Sequence, residues 1–207
     1  MDWTAVNNEL KGWQTGIGAL LGFIALGAGA LINYQLGRRR DKLLRNEEIA
    51  SIALALYGEI VLLRESAARL ARYVGARYLR NGMSQSEGDF DKYFREMVEI
   101  PEPRMFPALA PKIGMLPPNV ALEIGKFYSR IDEVSAWLPR IQDDPERRYS
   151  YSVLHVLEPA VNAVRFVRPA LQEIEKLTGI EPAALELDIE DAMRAWDLEQ
   201  VICDEHD

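Results

Sequence analysis

From residue 12 to residue 37 the chain carries no Asp, Glu, Lys or Arg, a run of 26 positions bounded by Lys11 and Arg38. An α-helix rises about 1.5 Å per residue, so roughly 20 apolar residues cross a hydrocarbon core of about 30 Å. Residues 13–37 exceed that length, with Trp13 and Tyr34 near the ends, where amphipathic rings settle at membrane interfaces. In lipid a lone segment must close its own backbone hydrogen bonds, so this one is expected as a helix. A cleaved leader fits less well. Ala28-Gly29-Ala30 imitates a cleavage site, but Asp2 and Glu9 outnumber Lys11 ahead of the run, and the basic charges follow it.

Those charges are Arg38, Arg39, Arg40, Lys42 and Arg45. Basic residues beside a span stay on the cytoplasmic side. The expectation is therefore a single-pass protein of the plasma (inner) membrane. Residues 1–12 would lie outside the cell and residues 38–207 in the cytoplasm. The basic cluster is expected to fix this topology, and it could also bind anionic lipid headgroups, each charge worth about 1 kcal/mol near the surface. Within the span Gly18, Gly22, Ala25 and Gly29 follow steps of four, three and four, one ridge along a helix. Small residues at that spacing let two helix backbones close on each other in lipid, so the expected partner is a second copy or another membrane protein.

A second pattern follows. Over residues 41–81, Ile49, Leu56, Leu63 and Leu70 recur every seven positions. Ile52, Ala53, Ile60, Ala67 and Val74 fill the same face, while Arg69, Arg72 and Arg80 lie opposite. That is one long amphipathic helix, its stripe turned toward a core of its own domain. All 11 prolines lie at or after Pro101, and they make residues 82–117 the least regular part of the chain, with a short helix near 89–98 capped by Asp89.

Proline at the first turn restarts a helix over 118–138, with Val120, Ile124, Phe127, Ile131, Val134 and Leu138 in steps of four and three. A helix over 149–178 carries Val153, Leu157, Ala160, Val164, Val167, Leu171 and Ile174 inward, with Gly179 as its stop. Pro159 and Pro169 should kink or divide it. A last helix over 182–201 places Leu185, Ile189, Met193 and Trp196 opposite its acids. No stretch alternates as a strand does. The fold class predicted is all-α: one N-terminal transmembrane helix, a long amphipathic helix and a helical bundle.

Charge and chemistry narrow the function. The formal net charge of −8 resides wholly in residues 186–207, whose nine acids face one base, Arg194. Nucleic-acid binding wants a basic face and is not expected. The single cysteine, Cys203, excludes an internal disulfide and has no basic neighbour to activate it. The two histidines, His155 and His206, lack the Glu-x-x-His spacing of a di-iron bundle. The terminal Cys-Asp-Glu-His-Asp offers ligand types without a scaffold, so no metal and no cofactor is expected. There is no phosphate-binding glycine loop and no nucleophile elbow. His155, between Val153 and Val156, is expected as a packed or partly exposed side chain.

Phe127, Tyr128, Trp137, Tyr149 and Tyr151 gather around one helix connection, as core or as the lining of a small-ligand pocket. The reading favoured is a membrane-tethered, non-enzymatic interaction module: a scaffold, adaptor or accessory subunit. Its rivals are an oligomerising, pore-forming effector and a membrane-anchored small-ligand sensor.

Overall fold

The computed structural model describes residues 3–81, 92–140, 149–183 and 186–204. Among them all regular structure is helical. Helix α1 (Trp3–Asn81) is followed by α2 (Lys92–Val98), α3 (Met105–Leu109), a 3-10 helix (Ala110–Met115) and α4 (Pro118–Trp137). Then come α5 (Tyr149–Phe166), α6 (Arg168–Thr178) and α7 (Glu190–Asp204). The chain divides into two compact units, Met1–Glu48 and Ile49–Asp207. The apolar run and the heptad stripe, expected as two helices, belong to one. Residues 38–57 contain neither Pro nor Gly, and their Arg, Lys, Leu, Glu and Ala are good helix formers, so nothing stops α1 between the two patterns.

In the first unit the helix bears its apolar side chains outward. Leu20, Leu21, Phe23, Ile24, Leu26, Leu31 and Ile32 are all more than half exposed. Over Leu20–Arg80 it is long and apolar enough, by length and composition, to cross a membrane.

In the second unit α1 is the central element. The predicted stripe is buried, from Ile52 through Leu56, Ile60, Leu63, Ala67 and Leu70 to Val74, with Ile49 half-buried at its edge. Burial is wider than one stripe, however: between Leu63 and Ala71 only Glu65 and Arg69 are exposed. Helices therefore pack on more than one side of α1, and small side chains make room for them. Ala67, Ala68, Ala71 and Gly75 of α1 and Ala192 and Ala195 of α7 are all buried. At Gly75 the backbones touch: a Cβ there would sit 2.6 Å from the Cα of Ala192.

The remaining core comes from α4, α5 and α6. Val120, Ile124, Phe127, Ile131 and Val134 of α4 are buried as predicted, and α4 packs on α5. The predicted helix over 149–178 is divided. Pro159 is accommodated inside α5, whereas the turn at Val167 separates α5 from α6 just ahead of Pro169. A proline gives no N–H to the carbonyl four residues back and crowds it, which breaks the ladder at that point. Gly179 ends α6 in the left-handed conformation, φ +69°, with its N–H on the Glu175 carbonyl at 2.8 Å.

Two boundaries differ from the sequence pattern. The last helix begins at Glu190 and not at Pro182. The Asp188 carboxylate accepts the Glu190 N–H at 3.3 Å, while the Ala183 N–H is engaged by the Tyr57 hydroxyl at 2.9 Å. Leu185 lies outside the described residues, as does Asp89. The proline-rich stretch is more regular than expected, because α3 and the 3-10 helix lead directly into Pro118, the first residue of α4.

The Gly75–Ala192 contact gives a sharp contrast between glycines of one helix. Gly75→Ala must push α7 away from α1 and should cost about 1–3 kcal/mol, as overpacking does. Gly58, with nothing within 4 Å of its would-be Cβ, should gain up to about 1 kcal/mol on replacement by alanine. Urea unfolding of the full chain, followed by far-ultraviolet circular dichroism, reads both. Equal effects at the two positions would refute the contact.

Candidate functional site

The predicted residues fall into separate places. On the first unit, Gly22, Ala25 and Gly29 share an exposed line of α1, and a Cβ at Gly22 or Gly29 would meet nothing within 4 Å. Gly18 belongs to the same helix. At 100° per residue, Arg38, Lys42 and Arg45 lie on one face of α1, while Arg39 and Arg40 point elsewhere. All five are exposed, and the Arg38 guanidinium lies 5.1 Å from the centre of the Tyr34 ring. The apolar run, its small-residue line and its basic end thus belong to one helix, with the small residues on the side away from Arg38, Lys42 and Arg45.

Phe127, Tyr128 and Trp137, the described side chains of the aromatic set, do not gather at one point. Phe127 and Tyr128 are buried in the core and meet edge to face, with ring centres 5.3 Å apart. Phe106, which opens toward them from α3, stacks on Tyr128 at 3.9 Å. Trp137 stacks instead on His155 at 4.1 Å, with the Arg140 guanidinium 4.5 Å from the indole. His155 is therefore half-buried against an aromatic face. Tyr149 and Tyr151 stand in the first turn of α5, and their side chains lie outside the described residues.

Beneath Tyr128 lies a group that periodicity did not single out. Glu59, on α1, accepts the Tyr128 hydroxyl at 2.7 Å and the backbone N–H groups of Arg104, Met105 and Phe106 at 2.5, 2.7 and 3.0 Å. Those amides are the otherwise unpaired donors at the start of α3, so one carboxylate caps a helix distant in sequence. Burial pushes the Glu59 carboxyl up, but the Met105 amide, the Tyr128 hydroxyl and the other two amides outweigh it and hold it below the usual glutamate range. Burial, and then the hydrogen bond to Glu59, push the Tyr128 phenol well above its ordinary value.

A cavity of about 630 Å³ opens between α4 and α6. Its lining includes Val120, Phe166 and Ala170 on the apolar side and Glu123, Lys126 and Arg130 on the polar side. Phe166 is flanked by two guanidiniums, Arg130 at 5.1 Å and Arg165 at 5.8 Å. Lys126 is paired with Glu123 at 2.8 Å, and Arg130 donates to the Asn162 carbonyl at 3.3 Å. This lining can hold an apolar group and a charge beside it. It presents no nucleophile activated by a base. Among the described residues no three His, Cys, Asp or Glu side chains converge as a metal site requires.

No family model matches this chain, and no curated protein or solved structure does either.

The Glu59 cap predicts a pH signature. Its carboxyl has a lower pKa folded than the unfolded value of about 4.3. The stabilisation is thus complete above that pH and lost as pH falls through the folded pKa. Glu59→Gln should cost about 1.5 kcal/mol at neutral pH, the low end for hydrogen bonds to a charged group, because the site is partly exposed. The gap between wild type and variant should narrow as the pH drops below 4.3, which denaturation at a series of pH values measures. A gap independent of pH would remove the carboxylate from this role.

Proposed function

We propose that the protein is a single-pass membrane anchor carrying a non-enzymatic helical interaction module, a scaffold, adaptor or accessory subunit held at the plasma membrane. One observation carries the reading. The helix that forms the centre of the compact unit also bears the charge-free run, and there its large apolar side chains are exposed. Seven such side chains in 13 residues would be costly to keep in water, at roughly 25 cal/mol per Å² of apolar surface. In a bilayer they meet a solvent as apolar as themselves.

The basic end at residues 38–45 favours retention of the compact unit on the cytoplasmic side, against anionic headgroups. The line through Gly18, Gly22, Ala25 and Gly29 supplies a surface on which another membrane helix, from a second copy or a different protein, can pack closely. The function then consists in bringing the compact unit to that partner.

The chain should stay with membranes through alkaline carbonate washing, and a variant lacking residues 13–37 should be released. Purified in mild detergent, the full chain should bring down a stoichiometric membrane partner or copies of itself, and Gly22→Ile should abolish that association while leaving the chain in the membrane. Release of the intact chain by carbonate would sink the anchor. Turnover of a substrate by the purified full chain would sink the non-enzymatic reading.

A further inference from the structure

The cavity of about 630 Å³ between α4 and α6 has the size of a small-molecule site, for which roughly 300–1,000 Å³ is ordinary. Its apolar lining comes from Val120 and Ala170, both buried, with Pro169 and Phe166. Phe166 is 46% exposed, so a ligand seated there would cover aromatic surface that water now meets. The charges of the lining are unequally satisfied. Glu123 is closed by Lys126 at 2.8 Å within α4, and Glu173 by Lys176 at 2.7 Å within α6. Arg130 differs: no carboxylate among the described residues pairs with it.

The Arg130 Nη1 donates to the Asn162 carbonyl at 3.3 Å, and the guanidinium stands 5.1 Å from the centre of the Phe166 ring. Those contacts hold the group in place without neutralising it, and its Nε and Nη2 donors are left for a ligand. An arginine fork is matched to a carboxylate, to which it gives two parallel hydrogen bonds. With the lysine–glutamate pairs cancelling, one positive charge remains beside the apolar lining. That balance suits a monocarboxylate. A phosphate monoester, at about −1.5 to −2 near neutral pH, would also have to sit against Glu123 and Glu173.

We infer that this cavity binds an apolar monocarboxylate, with Arg130 taking the carboxylate and Phe166, Val120 and Ala170 the hydrocarbon. The inference does not depend on the membrane reading. The acid can be an acyl chain released from lipid or a soluble aromatic acid, and the same chemistry would recognise either.

Equilibrium dialysis of the full chain in non-ionic detergent, corrected against detergent alone, tests it with two probes, octanoate and 3-phenylpropionate. Octanamide and 3-phenylpropanamide serve as their uncharged counterparts. Saturable binding of either acid is expected, with its amide about tenfold weaker or more, the size of one lost charged contact. Arg130→Gln should weaken the acid by the same factor and leave the amide unchanged, whereas Phe166→Ala should weaken both. Glu123→Gln, which frees Lys126 of its counter-ion, should tighten the acid severalfold. Arg80→Gln, which removes a positive charge from the exposed end of α1, should change nothing. Octanoate binding alone assigns an acyl chain, 3-phenylpropionate alone a soluble aromatic acid, and binding of both supports the class as a whole. If Arg130→Gln fails to fold or weakens acid and amide alike, Glu123→Gln decides, since damage to the fold does not improve affinity: tighter binding upholds the inference and unchanged binding overturns it. No saturable binding of either acid, an acid that binds no tighter than its amide, or binding indifferent to Arg130→Gln also overturns it.

Discussion

The compact unit depends on a helix that is enclosed while still carrying polar side chains. From Ile52 to Tyr78, α1 is covered widely enough that its polar groups cannot all turn to water. A buried polar group without a partner costs more than a made hydrogen bond gains, so the placement of its partners fixes what can pack against α1. Three residues show this. The Tyr57 hydroxyl donates to Glu175 at 2.7 Å and accepts the Ala183 amide, tying in α6 and the segment behind it. Glu59 caps the start of α3 and holds Tyr128 of α4. Arg64 reaches the Val164 carbonyl at the end of α5. Each of these three residues thus positions a different neighbour, and the apolar surface between them supplies the larger part of the packing energy.

The break at Pro169 belongs to the same arrangement. In an unbroken helix the Val164 carbonyl would be directed at the amide of residue 168. Where the turn at Val167 interrupts the ladder, that carbonyl accepts Arg64 from the opposite element. A local defect in one helix thereby becomes a tertiary contact of another. Pro159, inside α5, leaves the helix undivided. The difference lies in position: the α5 break coincides with an enclosed donor able to use the freed carbonyl.

Much of this was legible in the sequence, and the parts that were not share a cause. Periodicity identifies which positions are apolar on one face, so the buried sets of α4 and of α5 with α6 follow from steps of three and four. It also located Gly179, because only a left-handed residue closes that helix end without strain. What it cannot convey is how many sides of a helix are covered. The α1 pattern reads as a single stripe, yet Ala68 and Ala71 are buried as well, and Gly75, unremarkable on a hydropathy scale, is where α7 approaches. Glu59 reads as one more polar residue on an amphipathic helix, because its partners lie 45 to 69 positions away. The start of the last helix was misplaced for a related reason: Asp188 caps Glu190, while the residues before it are engaged elsewhere.

The uneven charge of the chain takes on a different meaning in three dimensions. Read along the sequence, the acids after residue 185 form a block with one base among them. In the fold Glu186 shares a cavity wall with Arg64, Arg165 and Arg168, and Asp188 shares another with Arg69 and Arg72. Glu190 pairs with Arg194 along α7. The first part of the acidic block therefore sits among basic side chains supplied by α1 and by the α5–α6 junction, and local charges there are closer to balance than the linear count implies. Ion pairs at the exposed rim contribute little to stability. Around the enclosed Arg64 guanidinium the dielectric is lower, and the same charges act there with more force.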